Sequence, residues 1–421
     1  MSSESEPHHA LKKVRAKRHV ESSRSIHPYF GKVDPGLSLE AIRRFSEPGQ
    51  TVLDPFCGSG TVLHDALVSG RSSEGWDSSP LAALIATCKV LGVTERETSE
   101  IIAFVEQVAG TPSLFSANSA DQLAADPQSV PAMPRVRSIH DWFTRNAIRE
   151  LAELKQAIAE AQQWLSPEAH VLLRLTFSRI IIAASNQQGE STYRRIEKPD
   201  DVGRVKALFK KAAFATVKAA KAFNGELALQ GKVPVKGRLK IGKDQYQVRY
   251  EDLAVKILVR DSRLERRRAE AHSLPRLVVT SPPYLMSWDY GLYHKFRFYW
   301  LGFDLDTYEE TEIGRHLRRQ DDDVPRYQAD MGATFATLKS ATHASSTMVM
   351  VNAPSVVYGV EVDTNSMLAE LAAAAEWKLV WSGDTLGIPG PHHGMYGSLE
   401  VRNATAPGAA GKREHVLVFT K

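Results

Sequence analysis

The sequence contains little cysteine and no long apolar run. Only 2 of its 421 residues, Cys57 and Cys88, are cysteine, which excludes a disulfide framework and a cysteine-based zinc cluster. No apolar run approaches the ~20 residues that span a membrane, and the first residues lack the apolar core of a secretory signal. These absences predict a cytoplasmic protein with no membrane partner, and we expect no metal site.

Charge of one sign is not in large excess either. The chain has 53 Lys and Arg against 49 Asp and Glu, and 43% of its residues are hydrophobic. This composition is ordinary for a globular protein. The net charge of +4 permits a nucleic-acid partner without requiring one.

Two stretches have a more marked charge pattern. Residues 1–25 become basic and lack apolar periodicity, which predicts a disordered basic tail. Residues 202–224 have a helical pattern and no acidic residue. At ~100° per residue the lysines of this helix share one face, which fits either a solvated surface or a phosphate contact. They are Lys206, Lys210, Lys211, Lys218 and Lys221.

A strand, a glycine-rich turn, a helix and a second strand follow one another from residue 51. The apolar residues 51–53 run into Asp54-Pro55-Phe56-Cys57-Gly58-Ser59-Gly60-Thr61, and Glu74 to Trp76 reads as a second strand that ends at Asp77. This order is one βαβ unit of an open parallel sheet.

The turn predicts a nucleoside ligand with a cationic group. A dinucleotide fingerprint would need a third glycine, but residue 63 is Leu, so no pyrophosphate is expected. Asp54 suits a cationic group, and Asp77, 17 residues beyond Gly60, can accept hydrogen bonds from ribose hydroxyls. S-adenosylmethionine is a ligand that fits both acids.

A second motif follows the apolar run 277–279. Thr280-Ser281-Pro282-Pro283-Tyr284 must end this strand, because proline cannot continue it and restricts the residue before it. A stiff turn of this kind can hold a hydroxyl, a carbonyl and an aromatic ring in fixed relation. It therefore suits a flat heterocycle with an exocyclic amine, although a plain loop terminator would read similarly.

The rest of the chain completes an α/β plan. Residues 95–252 are mostly helical, and the strand pattern resumes at residues 255–259 and ends at Asp261. Residues 304–328 are highly charged and predict a mobile loop. Residues 379–381 and 415–419 predict a pair of strands that forms the antiparallel edge of the sheet.

Together, the two motifs resemble those of the amino-methylating DNA methyltransferases, over residues 26–90 and 253–421. The resemblance implies a Rossmann-like α/β methyltransferase fold with a mostly parallel sheet, an antiparallel edge strand and a large helical insertion. It implies a catalytic domain formed by residues 26–94 and 253–421. Residues 95–252 would then be the candidate region for DNA binding and target recognition.

The same resemblance implies roles for individual residues. Segment 27–32 resembles the family motif that precedes the cofactor turn. The residues implied for S-adenosylmethionine are His27, Tyr29, Lys32, Asp54, Pro55, Phe56, Gly58, Gly60, Thr61, Asp77 and Asp261. The implied catalytic residues are Ser281, Pro282, Pro283 and Tyr284. The implied partner is duplex DNA with the target base flipped out, with the lysines above as candidate contacts and a cognate restriction enzyme as a further partner.

The target base is less closely specified. The motif order is typical of family members that methylate adenine at N6, whereas a serine at position 281 is more typical of cytosine-N4 enzymes. We favour cytosine-N4 methylation, with adenine-N6 methylation as the alternative and amine methylation of RNA or protein as a third hypothesis. Carbon-5 methylation needs a cysteine nucleophile, usually after proline, and neither Cys57 nor Cys88 follows one.

Overall fold

The computed structural model describes residues 21–29, 31, 33–110, 139–190, 192–265, 274–286, 289–315, 322–384 and 414–421. The helices within these ranges are α1 (Glu21–Arg24), α2 (Pro35–Phe45), α3 (Thr61–Leu67), α4 (Pro80–Lys89), α5 (Glu95–Gly110), α6 (Ile139–Trp142), α7 (Arg145–Ala161), α8 (Pro167–Ala184), α9 (Arg204–Ala228), α10 (Tyr290–Leu301), α11 (Leu305–Thr311), α12 (Asp323–Ala341) and α13 (Thr364–Ala374). The strands are β1 (Thr51–Asp54), β2 (Ser72–Asp77), β3 (Gln187–Gly189), β4 (Thr192–Arg195), β5 (Leu239–Gly242), β6 (Gln245–Tyr250), β7 (Leu253–Val259), β8 (Leu277–Thr280), β9 (Thr347–Asn352), β10 (Ser355–Val357), β11 (Val360–Val362), β12 (Lys378–Asp384) and β13 (His415–Thr420).

In the described part of the chain, nine strands form one sheet in the order β12-β13-β9-β8-β1-β2-β7-β6-β5. The five central strands from β9 to β7 are parallel to one another. At one edge β13 lies antiparallel between β9 and β12, and at the other the β5–β6 hairpin adds antiparallel strands. The predicted α/β fold with a mostly parallel sheet and an antiparallel edge is therefore confirmed, with β13 one strand inside the edge.

The strand order reverses direction between β1 and β8. The chain proceeds from β1 through β2 to β7 on one side, and from β8 to β9 on the other. Ligands of open α/β sheets bind beyond the carboxyl ends of the strands at such a switch point. All four residues of β8 are buried, as expected for a central parallel strand that is covered on both faces.

Local sequence signals set the helix that follows β2. Asp77 ends the strand, and the Ser79 side chain accepts a hydrogen bond from the Ala82 amide as the N-cap of α4. Pro80 occupies the first turn, where its missing amide hydrogen is not needed.

The helical insertion shares its core with the catalytic sheet. One hydrophobic cluster joins Leu84 of α4, Leu172 of α8, Phe209 of α9 and Ile257 of β7. The last two strands of the insertion join the main sheet, because β6 pairs with β7 and β5 pairs with β6. The expected boundary at residue 252 therefore falls between two hydrogen-bonded strands, and the insertion packs as part of the same body.

The predicted tail extends too far along the chain. Residues 1–20 lie outside the described residues, but Glu21–Arg24 is a helix that packs on the fold. Ser23 is fully buried, and an Arg24 guanidinium nitrogen lies 2.6 Å from Asp65 Oδ1 on α3. This ion pair with a distant residue holds a segment whose own composition gave no sign of order.

The prediction of a mobile loop over residues 304–328 is also wrong for most of that stretch. It contains α11 and the start of α12, while residues 316–321 lie outside the described ranges. The Asp304 side chain caps α11, and the Tyr308 ring packs 5.0 Å from the Phe298 ring of α10. Burial of Tyr308 thus orders a segment whose charge density favoured a loop.

Membrane-spanning helices and metal-binding clusters were searched for among the described residues. Within those ranges, every helix is too short or too polar to span a membrane. The same ranges contain no cluster of three or more His, Cys, Asp or Glu side chains arranged to hold a metal ion.

Candidate active site

A cavity opens beyond the carboxyl ends of β1, β2, β7 and β8. Each of these strands contributes residues to its wall immediately after the strand ends or at its last position. They are Phe56 and Gly58 after β1, Asp77 and Ser78 from β2, Asp261 and Ser262 after β7, and Ser281, Pro282, Pro283 and Tyr284 after β8. Further lining residues are Tyr29, Gly31, Tyr290, Tyr308, Thr311, Glu312, Ile313 and Glu414. The predicted catalytic turn and several predicted cofactor residues thus share one cavity.

The glycine-rich turn needs both of its glycines. Gly58 and Gly60 have φ angles of 47° and 77°, in the left-handed region. A Cβ atom on Gly60 would lie 2.9 Å from the Ala86 Cα, which leaves no space for a side chain. The Gly58 amide donates to Asp77 Oδ2 at 2.9 Å, so the turn is tied to the end of β2.

Asp77 is a buried acceptor in the cavity wall. Its other oxygen, Oδ1, accepts a hydrogen bond from the Ser79 amide at 2.9 Å. Burial raises the pKa of Asp77 to about 6, because desolvation penalises the charged form more than these two hydrogen bonds favour it.

Asp54 lies behind the cavity wall. It is 2% exposed, and its Oδ1 accepts hydrogen bonds from Thr280 Oγ1 at 2.7 Å and from the Phe56 amide at 3.1 Å. Asp54 therefore links the glycine-rich turn to the catalytic turn. Burial raises the pKa of this carboxyl to about 7. Asp54 is not among the residues that line the cavity, and its contact with a cationic ligand stays a prediction.

Two residues of the segment before the glycine-rich turn have different surroundings, because Tyr29 lines the cavity and His27 lies in the protein interior. Tyr29 lines the cavity, and its ring stacks 5.9 Å from Tyr290 and 5.2 Å from His294. His27 lies in the interior, with Nε2 3.0 Å from Ser178 Oγ on α8. Burial and the Arg297 charge lower the pKa of His27, so its ring is neutral and anchors the segment.

The other predicted cofactor residues occupy different positions. The Pro55 carbonyl accepts a hydrogen bond from Ser262 Oγ, which joins the turn to the loop after β7. Gly60 and Thr61 begin α3 and do not line the cavity, and Thr61 is buried. Lys32 lies outside the described residues.

Asp261 lines the cavity with its carboxylate already held. Arg263 Nη2 lies 2.6 Å from Asp261 Oδ2, and its Nε lies 2.9 Å from Oδ1. Arg263 Nη1 in turn lies 2.6 Å from Asp330 Oδ1 on α12. This bidentate pair orients Asp261 as a charged acceptor.

The predicted catalytic turn is held at Thr280 and at Pro283, and the hydroxyl of Ser281 remains available. Thr280 binds Asp54, and Tyr327 Oη donates to the Pro283 carbonyl at 2.9 Å. Among the described residues, none hydrogen-bonds the Ser281 hydroxyl. Tyr284 Oη lies 3.4 Å from Glu414 Oε1, just before β13. The hydroxyl of Ser281 can therefore accept a hydrogen from a bound amine.

Sequence reasoning missed several of these residues. Glu312 lines the cavity but lies in the charged stretch that predicted a loop, so its sequence carried no usable signal. Lys89 was detectable, because it is a lysine at the end of the otherwise apolar α4. It is 1% exposed, and its Nζ lies 3.0 Å from Ser59 Oγ in the glycine-rich turn.

The described lining of the cavity carries charge of one sign. It includes four carboxyl side chains and, within the described ranges, no Lys, Arg or His. They are Asp77, Asp261, Glu312 and Glu414. Such a cavity favours a cationic ligand over an anionic one.

Comparison with known proteins agrees with this geometry. A family model described as DNA methylase, of the N6 and N4 type, matches residues 7–87, a segment that includes the glycine-rich turn and Asp77. Over this segment the chain is similar to the amino-methylating DNA methyltransferases. The matched region begins within the predicted tail, at residue 7.

Individual relatives match smaller parts of the chain. The Type II methyltransferase M.MjaII of Methanocaldococcus jannaschii is 39% identical over 74 residues, which are 18% of this chain and 14% of that protein. The chain therefore spans 14% of the length of this curated relative. Two structures of the rRNA methyltransferase aviRa from Streptomyces viridochromogenes align over 97% of this chain and 94% of theirs, at 12% identity and a TM-score of 0.34, too low to support an argument.

The two cysteines do not line the cavity. Cys57 and Cys88 are both buried, and burial raises the pKa of each thiol. Cys88 Sγ lies 3.5 Å from the Val171 carbonyl oxygen. The structure therefore offers no thiolate for carbon-5 methylation among these two residues.

The predicted DNA-binding lysines fall into two groups on α9. Lys206 lies 3.1 Å from Glu153 and Lys221 lies 2.9 Å from Glu95, so neighbouring helices supply the acids that α9 lacks on this face. The remaining three, Lys210, Lys211 and Lys218, are exposed. No residue of α9 lines the cavity, so a phosphate contact by these lysines stays a prediction.

Proposed function

We propose that the protein transfers the methyl group of S-adenosylmethionine to an exocyclic amine of a base in DNA, with N4 of cytosine as the favoured position. The observation that carries this proposal is that Ser281 to Tyr284 line the same cavity as Asp77 and Asp261. The family match over residues 7–87 supports the same reaction class.

The residues of the cavity fit the methyl donor. Asp77 would accept hydrogen bonds from its ribose hydroxyls, and Asp261, held by Arg263, would accept from its adenine amine. The four carboxyl groups of the lining suit a ligand with a positive charge. When bound, the donor supplies a methyl group on a positively charged sulfur.

The catalytic turn would prepare the amine for attack. The lone pair of an exocyclic amine is delocalised into the ring, which makes the amine a poor nucleophile. The Ser281 hydroxyl and the Pro282 carbonyl would accept its two hydrogens and localise that pair on nitrogen. The bonds from Thr280 to Asp54 and from Tyr327 to Pro283 hold this turn in place, so positioning supplies much of the rate. No covalent intermediate with the protein is needed.

The DNA would have to present its base outside the duplex. A stacked base cannot reach the floor of a cavity, so the target nucleotide is flipped out and Tyr284 stacks on it. Exposed lysines of α9 would contact the phosphate backbone. Because the relative from Methanocaldococcus jannaschii is named a Type II methyltransferase, we include a cognate restriction enzyme among the partners.

Label transfer tests the proposal. The full chain is incubated with S-adenosylmethionine carrying a labelled methyl group and with duplex DNA, tRNA or protein. We expect label in DNA, a fall of about 10²–10³ in kcat for Ser281→Ala and a fall of about 10–100 in kcat/KM for Tyr284→Ala. Ser99→Ala, at an exposed position of α5, is the control and should keep full activity.

The outcomes separate the hypotheses. Transfer to DNA that survives both substitutions would contradict the assignment of the catalytic turn, and transfer to RNA or protein alone would contradict the DNA substrate. Digestion of the product to nucleosides then identifies the base. N4-methylcytosine is expected from Ser281, and N6-methyladenine would support the alternative that the motif order favours.

A further inference from the structure

Glu312 is a buried acid of the cavity to which the reaction above assigns no individual role. It follows α11, and its carboxyl group accepts hydrogen bonds from the Tyr290 amide at 2.6 Å and the Gly291 amide at 3.4 Å. It thus caps the start of α10 with an acid from another helix. Although Glu312 is only 8% exposed, it contributes to the cavity lining.

The charge of Glu312 is only partly balanced by its neighbours. The nearest cation is Arg315, whose Nε lies 3.9 Å from Glu312 Oε2. This guanidinium makes closer contacts, both at 2.9 Å, with Asp289 and Glu309. Three acids therefore share one arginine, and the local charge is negative when all three are ionised.

Three tyrosines, Tyr29, Tyr290 and Tyr308, line the same cavity as Glu312. Tyr308 on α11 and Tyr29 before α2 both lie within electrostatic range of Glu312 and of Asp77, and the Tyr290 amide is one of its two donors. Burial, followed by the Asp289 charge, raises the pKa of Glu312 to about 8. No lysine or histidine is among the groups that shift it. Without a bound ligand, the raised pKa therefore favours the protonated form of Glu312 at neutral pH.

We propose that Glu312 is an additional cofactor-binding residue, which gives up its proton and provides negative charge to a cationic nucleoside sulfonium when that donor enters the cavity. The proposal rests on the function proposed above. The competing explanation is that Glu312 only caps α10. A cap would stabilise the fold without distinguishing a charged ligand from a neutral one.

Methyl transfer would then weaken the interaction. The C–S bond breaks, and its electron pair stays on sulfur, which becomes a neutral thioether. The amine nitrogen forms the new bond to carbon and afterwards loses one proton to water. Since the product S-adenosylhomocysteine lacks the sulfonium charge, an ionised Glu312 favours the donor over the product.

The direction of the pH dependence follows from the raised pKa. Below about pH 8 the Glu312 carboxyl holds its proton when no donor is bound, and it releases that proton when the donor binds. Donor affinity therefore rises with pH up to about 8, by as much as tenfold per unit for one proton. Asp54 and Asp77 would add to this effect at lower pH, so a variant is needed to isolate Glu312.

The test is calorimetry on the full chain, with S-adenosylmethionine and S-adenosylhomocysteine as probes, in two buffers of different ionisation enthalpy. We expect Glu312→Gln to raise the Kd of the donor about tenfold, to change that of the product less than threefold, and to reduce the protons released with the donor. The control Glu309→Gln loses a partner of the same Arg315 outside the cavity lining, and should bind both probes like the wild type. The probes' own titrations cancel between variants.

Each outcome has a distinct meaning. Equal weakening of both probes by Glu312→Gln, with a lower Tm, would show a cap alone and overturn the inference. If that variant does not fold, the wild-type ratio of the two Kd values between pH 6.5 and 8 decides, since a constant ratio contradicts the proposal. Failure of the wild type to bind S-adenosylmethionine at all would instead overturn the proposed function.

Discussion

At the scale of residues, three acids at the candidate site share one physical property. Burial raises the pKa of Asp54, Asp77 and Glu312 to about 7, 6 and 8 respectively. Each accepts hydrogen bonds from backbone amides or a hydroxyl. Among the described residues, a cation lies within ion-pair distance only of Glu312, where Arg315 Nε is 3.9 Å away. Desolvation therefore outweighs the hydrogen bonds, and a cationic ligand would relieve the resulting repulsion.

Asp54→Asn tests this property through stability. A carboxyl whose pKa is raised by folding stabilises the folded state fully below the unfolded value of 3.8, and that contribution is lost as pH rises towards about 7. The amide keeps an acceptor for Thr280 but never ionises. We expect the stability of the variant relative to the wild type to increase by up to about 1.4 kcal/mol per pH unit from pH 5 to 7 and then to level off.

Urea denaturation at pH 5, 6, 7 and 8 provides the measurement for both proteins. Curves of stability against pH that run parallel would show that Asp54 is not a buried acid with a raised pKa. Calorimetry of S-adenosylmethionine on the same variant reports whether the link between the two motifs also matters for binding.

At the scale of elements, glutamates on neighbouring helices pair with some of the lysines of α9 and so reduce the number that are available to bind phosphate. Its sequence from residue 204 to 224 has no acid, but Glu153 on α7 and Glu95 on α5 reach two of its lysines. Surface pairs of this kind add little stability, yet each lysine so engaged is a weaker candidate for phosphate. The face that stays open is that of Lys210, Lys211 and Lys218.

A triple substitution of Lys210, Lys211 and Lys218 by Gln tests the open face. Each phosphate contact contributes about 0.9 to the slope of log affinity against log salt for duplex DNA. We expect the triple variant to lower the magnitude of that slope by roughly 3 and to weaken binding at 50 mM salt most strongly. Fluorescence anisotropy of a labelled duplex between 50 and 200 mM salt provides the measurement.

The matched control is the pair Lys206→Gln and Lys221→Gln on the same helix. Because both lysines already contact glutamates, their loss should change the slope less per residue. An unchanged slope in the triple variant would remove α9 from the DNA interface, and an equal effect per lysine in both variants would show that the ion pairs do not matter.

At the scale of the whole molecule, a buried ion pair ties the insertion to the sheet. Arg238 immediately precedes β5, and its Nη1 lies 2.8 Å from Glu97 Oε1 on α5. Its Nε donates a hydrogen bond to the Leu91 carbonyl at 2.8 Å. Its side chain is completely buried, and that of Glu97 is 3% exposed. The pair lies where the helical insertion, α4 and the edge of the sheet meet.

Arg238→Met should therefore destabilise the whole chain. It leaves Glu97 buried without its partner, which typically costs about 3–5 kcal/mol, whereas the double variant Arg238→Met with Glu97→Met should recover most of that loss. Because the insertion and sheet share one core, we expect circular dichroism and tryptophan fluorescence to report one coincident urea transition. Two separate transitions would show that the insertion unfolds as an independent domain.

The sequence by itself determined where the strands of the catalytic sheet end and which residues follow them. Apolar runs, the glycines at 58 and 60 and the two prolines after Ser281 are local signals, because backbone preference and side-chain periodicity act over a few residues. They were sufficient to predict the fold class, the two motifs and the likeness to amino-methylating DNA methyltransferases.

Only the tertiary structure decided what each side chain touches. Asp54 contacts a threonine 226 residues away, His27 contacts a serine 151 residues away, and neither residue lines the cavity. Glu312 lines the cavity, although it belongs to a stretch that the sequence predicted to be a mobile loop. Burial and charge pairing depend on residues that are remote in the chain, and no local pattern encodes them.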